Sequence, residues 1–340
     1  MQNKPVFILA IESSCDDTAA AVLKNDVVLS NVVANQLIHN QFGGVVPELA
    51  SRAHQQNIVP VIDAALKKAN IKIEQLSAIA FTQGPGLMGS LLVGSSFAKS
   101  LALALKIPLI AVNHMQAHVL AHFIAEENFQ KPTFPFLALT ISGGHTEIVV
   151  VKDFFDMEII GQTTDDAAGE AFDKSAKILG LSYPGGPLID QYAQIGNPKA
   201  FAFTKPKVPD LDFSFSGLKT AILYFIQRKQ SENPNFIDEN LNDICASIQN
   251  TIIEILMEKL NLAVLKTGIL QIAIGGGVSA NSGIRKTLKE AEKKYGWTTF
   301  IPKFEYTTDN AAMIGIVGYQ KYLAQKFETS DVVSNPRIKF

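Results

Sequence analysis

Val6-Phe7-Ile8-Leu9-Ala10-Ile11-Glu12-Ser13-Ser14-Cys15-Asp16-Asp17-Thr18-Ala19-Ala20-Ala21-Val22-Leu23 is the stretch from which the fold is read. An apolar run of strand length enters a polar turn over 12–17, and a second apolar run leaves it. Lys24-Asn25-Asp26 makes another turn, and 27–33 a third strand. A strand running into small and hydroxyl residues offers N–H and hydroxyl groups to a phosphate. Acidic residues there approach a phosphate only through a metal ion or from outside its contact shell. A plain hairpin with a polar turn fits the same residues.

Beyond residue 33 the pattern becomes α/β. The Gly43-Gly44 pair breaks the chain, and Pro47 opens a helix to about residue 69, with Leu49, Ala53, Val59, Ile62 and Leu66 at helical spacing. Strands at 78–81 and 109–112 alternate with helices at 87–105 and 114–123, which indicates a parallel sheet. The Pro-containing stretch 130–135 interrupts the alternation and marks a hinge. Three strands joined by turns then recur at 136–142, 146–151 and 157–163, followed by helical segments. A strand at 270–274, a helix at 279–294, a strand at 298–301 and a helix at 309–324 complete the pattern. The expected domains are 1–130 and 131–308, with helix 309–326 returning to the first and 328–340 forming a loose polar tail. Two α/β halves that each open with a β-meander predict a ligand cleft between them. This is the architecture of the sugar kinase, Hsp70 and actin superfamily.

Composition excludes several classes. With 47% hydrophobic and 18% charged residues among 340, the chain can bury two cores and is not disordered. A net charge of -2 announces no nucleic-acid partner. Lys205, Lys207, Lys219, Arg228 and Lys229 could form a basic patch, although scattered exposed lysines explain them more simply. Two distant cysteines, Cys15 and Cys245, offer neither a disulfide framework nor a cysteine zinc site and fit a reducing compartment. Residues 1–5 are short and polar, so no secretory signal is expected. The most apolar stretch, 84–105, is interrupted by glycines, serines and Lys99, so no membrane span is expected and the location should be cytoplasmic.

Three segments after strands could face a ligand. In Thr140-Ile141-Ser142-Gly143-Gly144-His145-Thr146 two glycines let a ligand approach the backbone. In Ile274-Gly275-Gly276-Gly277-Val278-Ser279-Ala280-Asn281 three glycines precede a helix start. This last segment lacks the GxGxxG spacing with a following acidic residue, and no GxxxxGK[ST] occurs anywhere, which disfavours a Rossmann site or a P-loop there. Asn113-His114-Met115-Gln116-Ala117-His118 places two imidazoles four residues apart on one helix face, able to share a metal ion. An isolated pair of this kind is more often an ordinary helix face, and His122 continues the spacing. The Glu of HExxH is missing, so a zinc-protease reading fails at its base. Asp309, at the expected start of the last helix, is a candidate third ligand, and a helix N-cap is its simpler role. Spacing alone does not bring it to the histidines.

Taken in order over residues 6–315, these segments resemble the bacterial tRNA N6-adenosine threonylcarbamoyltransferase family (TsaD, formerly called O-sialoglycoprotein endopeptidase or Gcp). The resemblance rests on ESSCDDT (12–18), GGVVPELASRAH (43–54), TQGPGLMGSLLVG (82–94), NHMQAH (113–118), SGGHT (142–146), GEAFDKSAKILGLSYPGGP (169–187), FSFSGLKTA (213–221), GGVSAN (276–281) and TTDNAAMI (307–314). It implies a two-domain actin-like ATPase fold. It further implies that His114, His118 and Asp309 bind one divalent metal ion, iron in first place and zinc in second. Thr140, Ile141, Ser142, Gly143, Gly144, Asp173, Gly186 and Asn281 would line the site for threonylcarbamoyl-AMP, with Asp190 nearby. Glu12 would face the same cleft, and Glu12, Asp173 and His145 are the candidates for proton transfer. The implied reaction is attack by N6 of adenosine 37, in tRNAs reading ANN codons, on the carbamoyl carbon, with AMP leaving. The implied partners are tRNA, the homologous protein TsaB, the small ATPase TsaE acting with ATP, and a synthase that supplies the adenylate. The family usually has Glu at Asp17, Cys-Thr at Thr307-Thr308, and in many relatives Glu-Gly at Gln116-Ala117; none of these departures removes a metal ligand. A small-molecule kinase of the same fold is the main rival. A metalloprotease and a non-catalytic ATP-switched scaffold stand behind it.

Overall fold

A computed structural model describes residues 4–42, 44–127 and 129–340. Gly43 of the expected glycine break and the first three residues of the N-terminal stretch lie outside the described residues. The chain forms two compact units, 1–131 with 303–340, and 132–302.

The first unit is built on a five-stranded sheet of β1 (Phe7–Glu12), β2 (Thr18–Lys24), β3 (Val27–Ala34), β4 (Ala78–Gly84) and β5 (Leu109–Asn113), in the order β3-β2-β1-β4-β5. β1 is antiparallel to β2, with Ile8 opposite Leu23, and parallel to β4, with Ile8 opposite Ala78. Being central, β1 is buried on both faces, and its sequence is accordingly a continuous apolar run. Helix α1 (Pro47–Ala69) starts with Pro at its first turn and ends at Asn70 in the left-handed region. It packs with α2 (Met88–Leu105) on one face of the sheet, where Ile58, Ile62, Ala65 and Ala98 meet Leu9, Ile79 and Phe81. Helix α3 (His114–Leu120) follows β5 directly.

The second unit repeats this plan. Its strands β6 (Phe136–Ile141), β7 (Thr146–Val151), β8 (Met157–Gln162), β9 (Gln271–Gly275) and β10 (Thr298–Phe300) lie in the order β10-β9-β6-β7-β8. β6 is antiparallel to β7 and parallel to β9, so strand order and sense match those of the first sheet. The duplication read from the sequence is therefore one of topology. Helices α4 (Ala168–Ile178), α5 (Gly185–Ala193), α6 (Ser216–Glu232) and α7 (Phe236–Thr267) lie between β8 and β9, and α8 (Ser282–Tyr295) joins β9 to β10. Phe172, Phe213, Phe215, Ile248 and Ile274 belong to its core.

The last helix, α9 (Ala311–Leu323), packs on β1, β2 and β4 of the first unit. Gly315 lies against Leu23 and Gly318 against Ala80, contacts that a larger side chain would obstruct. The helix begins at Ala311 rather than 309, because Asn310 is its N-cap and accepts from Met313 N at 3.0 Å. Helix α8 likewise begins at 282, not 279. Residues 277–280 form a 3-10 turn, and Asn281 caps the helix by accepting from Ile284 N.

The tail departs from the expectation of looseness. Asn335 N donates to Gln83 O at 2.9 Å, Gln83 Nε2 to Val333 O at 3.0 Å, and Glu328 N to Leu109 O at 2.8 Å. Helix α2 is long and apolar enough to cross a membrane by length and composition, with 18 residues and a mean hydropathy of 1.4, although Ser90, Leu91, Gly94, Ser95 and Ala98 on it are buried within the fold. Both cysteines are free. Lys205 is paired with Glu254 and Glu258, and Lys229 with Glu232, so two members of the proposed basic patch are neutralised.

One buried acid in the second sheet has a consequence for stability. Glu147 on β7 is 8% exposed, and burial pushes its carboxyl up to about 7 against the weaker pull of the Thr140 hydroxyl. The folded state therefore holds a proton that the unfolded chain releases near pH 4.5. Stability falls as pH rises between those values and levels above them. Glu147→Gln is expected to match the wild type near pH 4.5 and to exceed it by up to about 3 kcal/mol at pH 8, read by urea unfolding at the two pH values.

Candidate functional site

In the first unit the site is assembled by the ends of β1 and β5 and by the segment before α9. His114 is the first residue of α3, whose start is fixed by Asn113: its Oδ1 accepts from Met115 N at 2.9 Å and Gln116 N at 3.2 Å. His118 lies one turn on, as the spacing predicted. Nε2 of His118 is 3.2 Å from Nε2 of His114, and Oδ1 of Asp309 is 3.3 Å from the first and 3.4 Å from the second. The imidazole rings are perpendicular.

These three distances test whether a metal fits. Ligand atoms at about 2.1 Å from one ion are about 3.0–3.4 Å apart in octahedral or tetrahedral geometry. The edges of the His114–His118–Asp309 triangle fall in that range. The donor set of two imidazoles and one carboxylate is that of open catalytic sites. With neutral imidazoles, the fully buried Glu12 carboxylate and the half-buried Asp309 carboxylate leave two negative charges beside the two histidines, which a divalent cation balances.

Glu12 is placed differently from the expectation that it faces a ligand. Its side chain is fully buried behind His114. Oε1 accepts from Ser14 N at 2.5 Å, while Oε2 accepts from the Thr82 hydroxyl at 2.5 Å and lies 3.0 Å from His114 Nδ1. A carboxylate on Nδ1 fixes the tautomer and turns Nε2 toward the ion position. Burial disfavours charge on His114, but the Glu12 and Asp309 carboxylates outweigh it and hold this imidazole well above its ordinary range. Burial keeps His118 below that range despite Asp309. Burial also opposes charge on Asp309, yet the two histidines pull its carboxyl far below the usual carboxylate range. Cation binding must displace the proton on His114 and so weakens as pH falls.

The turn after β1 is held from behind by His54 of α1, whose Nδ1 meets the Thr18 hydroxyl at 2.8 Å and whose Nε2 meets Cys15 O at 3.0 Å. Asp17, where the resembled family carries Glu, accepts from Asn35 Nδ2 at 2.8 Å, and burial pushes its carboxyl up to about 7.

In the second unit the expected ligand residues lie at the end of β6 and on the turn after it, within α4 and α5, and at the cap of α8. Thr140 is buried at the end of β6 and donates toward Glu147 Oε2 at 3.4 Å, and Ile141 is buried beside it. Ser142 N donates to His145 O at 2.8 Å, and His145 N to Ser142 Oγ at 3.0 Å. That closes the turn and leaves Gly143 and Gly144 at its exposed tip, where an added Cβ would meet nothing within 4 Å. Gly169 at the start of α4 packs against Ser142 O and Gly143. Gly276 crosses Ile141 so closely that a Cβ would lie 2.5 Å from its carbonyl oxygen, and its φ of +86° is open to glycine.

Asp173, Asp190 and Asn281 are all engaged at helix starts. Asp173 Oδ1 accepts from Gly185 N at 2.8 Å and Gly186 N at 3.1 Å, capping α5; burial nevertheless raises its carboxyl. Asp190 accepts from Ser282 N and its hydroxyl at 3.0 and 2.7 Å. Asn281 Nδ2 donates to Gln249 Oε1 at 2.7 Å. The sequence reading missed Thr82 and Ser14 around Glu12. It also missed Asp165, which accepts from Ser214 and Ser216 at the start of α6. Nothing in the spacing of Thr82 and Asp165 signals partners 70 and about 50 positions away.

Comparison with known proteins decides the family. The profile described as TsaD, tRNA N6-adenosine threonylcarbamoyltransferase, matches residues 27–316. The chain belongs to this family. Proteins named tRNA N6-adenosine threonylcarbamoyltransferase are similar along its whole length: that of Christiangramia forsetii is 70% identical over all of both chains. That of Riemerella anatipestifer is 61% identical over 99% of this chain and 98% of its own. The kinase rival is not favoured by these names. Among solved structures, full-length HypF in a phosphate- and nucleotide-bound form covers 94% of this chain and 47% of its own, with a TM-score of 0.61 and 14% identity. Component A of (R)-2-hydroxyglutaryl-CoA dehydratase from Acidaminococcus fermentans covers 94% and 98%, with a TM-score of 0.52 and 15% identity. These likenesses show the actin-like ATPase fold. The TsaD-family chain thus joins that fold to a candidate metal triad in its first unit.

Proposed function

We propose that the protein transfers the threonylcarbamoyl group of threonylcarbamoyl-AMP to N6 of adenosine 37 in tRNAs reading ANN codons, releasing AMP, in the cytoplasm. The observation that carries this reading is the His114–His118–Asp309 triangle of coordination dimensions in a chain of the TsaD family. His114, His118 and Asp309 hold the ion, Fe²⁺ in the first place and Zn²⁺ in the second. When bound, such an ion supplies a Lewis acid that polarises oxygen atoms of the threonylcarbamoyl part.

The protein's own groups do the rest. Glu12 holds His114 in orientation. Thr140, Ile141, Ser142, Gly143, Gly144, Asp173, Gly186, Asp190 and Asn281 line the adenylate site, in which the open tip at Gly143 and Gly144 admits phosphate and its N–H groups receive negative charge. An aromatic amine is a poor nucleophile, so alignment of N6 with the carbamoyl carbon supplies much of the acceleration. Asp173 and His145 are the candidates for taking the proton.

The tRNA surface is completed by a TsaB-type homologue and a small TsaE-type ATPase acting with ATP, while a separate synthase provides the adenylate. Val59, Met88, Leu92 and Leu103 on α1 and α2 are apolar and exposed, side chains that a partner can cover. The test mixes the chain with those partners, synthetic threonylcarbamoyl-AMP and unmodified tRNA, and reads nucleosides by mass spectrometry. Modified adenosine that requires the chain is expected. Active partners that yield none in its presence would refute the reading.

A further inference from the structure

We infer that residues 335–340 form a strap that belongs to the metal centre, positioning the histidine-bearing helix α3 through Asn113. The inference rests on the metal reading above. The amide of Asn113 is used twice. Its oxygen caps α3, and its Nδ2 donates to Lys339 O at 2.9 Å. The residue that fixes the first turn of the ligand helix is thus itself fixed by the C-terminus, 226 positions away.

The strap is anchored along its course. Asn335 N donates to Gln83 O at 2.9 Å, Gly86 N donates to Pro336 O at 3.3 Å, and Ser334 Oγ donates to Ser95 Oγ at 2.9 Å. Gly84 lies directly beneath it: a Cβ there would sit 1.9 Å from Asn335 O, and φ is +149°. Gly86 packs over Ser14, the residue whose N–H engages Glu12, where a Cβ would lie 2.4 Å from the Ser14 carbonyl oxygen. The strap, the 83–86 turn and the β1 turn are stacked in that order beside the triad. Residues 332, 334, 336, 338 and 340 are half-buried while 331, 333, 335, 337 and 339 are exposed, the alternation of an extended segment lying on a surface. A free N-cap side chain can rotate; one tied at both ends cannot, and the direction of the His114 imidazole inherits that constraint.

The strap is a positioning element and touches no reacting atom. Its test is a double-mutant cycle on the metal-stripped protein, using a chain that ends at Ser334, the variant Asn113→Ser, and the two combined. Serine keeps an N-cap oxygen and loses the donor to Lys339 O. Co²⁺ affinity is read by calorimetry, and its visible spectrum reports ligand geometry. Each single change is expected to weaken Co²⁺ binding by about 10–100-fold and to alter the spectrum, as removing outer partners of metal ligands does. The combined protein should be no weaker than the worse single one, because both break one connection. Wild-type affinity in both single variants, a melting-temperature loss without an affinity loss, or losses that multiply would overturn the inference. A wild-type protein that binds no Co²⁺ would overturn the metal reading and the strap with it, an outcome distinct from tight wild-type binding that the variants share.

Discussion

His118→Ala is expected to leave a folded protein that no longer retains a metal ion and transfers threonylcarbamoyl about a thousand-fold more slowly. The triangle loses one of its three donor atoms, and the two that remain, on His114 and Asp309, are 3.4 Å apart with no third His, Cys or carboxylate donor grouped with them among the described residues. Lewis-acid stabilisation of several kcal/mol, such as a bound metal provides, corresponds to a factor of this size. Folding should survive, because His118 contributes one buried ring to a unit whose core is the sheet packed by α1, α2 and α9. Metal content after dialysis, circular dichroism and single-turnover transfer check the three parts separately. Full activity without bound metal would remove the triad from the mechanism.

Glu12→Gln should have the next largest effect, through a different route. Glu12 is surrounded by donors: Ser14 N on one oxygen, the Thr82 hydroxyl and His114 Nδ1 on the other. A glutamine accepts on one side only and turns its NH₂ against a donor on the other, whichever way it sits. The buried mismatch is expected to cost about 1–3 kcal/mol of stability. The loss of the carboxylate behind His114 should weaken metal binding by about 10–100-fold. Thermal unfolding and calorimetric metal titration read the two effects. If Glu12 instead acted as a base on substrate, the variant would keep wild-type metal affinity and lose transfer alone.

The sequence revealed whatever depends on short range. The helix at Pro47–Ala69 was legible from a proline at its start and apolar periodicity, and the HxxxH pair from the geometry of a single turn. β1 betrayed its central position because a strand covered on both faces must be apolar throughout. What could not be read depends on partners far along the chain. Asp309 reaches His118 across 191 positions. Its apparent role as a helix cap falls to Asn310 next door, since one residue satisfies the free N–H of Met313. Glu12 at a strand end has the same local signature whether it faces a ligand or orients a histidine. The tail looked loose because it is polar, yet its backbone bonds go to Gln83, Gly86 and Asn113, which no periodicity signals.

Transfer should depend on the ion held by the His114–His118–Asp309 triad. The most direct test measures the initial rate of threonylcarbamoyl transfer as metal is added stepwise to the metal-stripped protein, under anaerobic conditions for Fe²⁺, with His114→Ala in parallel. The rate should climb to a plateau at one equivalent for the wild type and stay at background for the variant. A metal-stripped wild type that already works at full rate, or a His114→Ala protein that is restored in the same way, would contradict it.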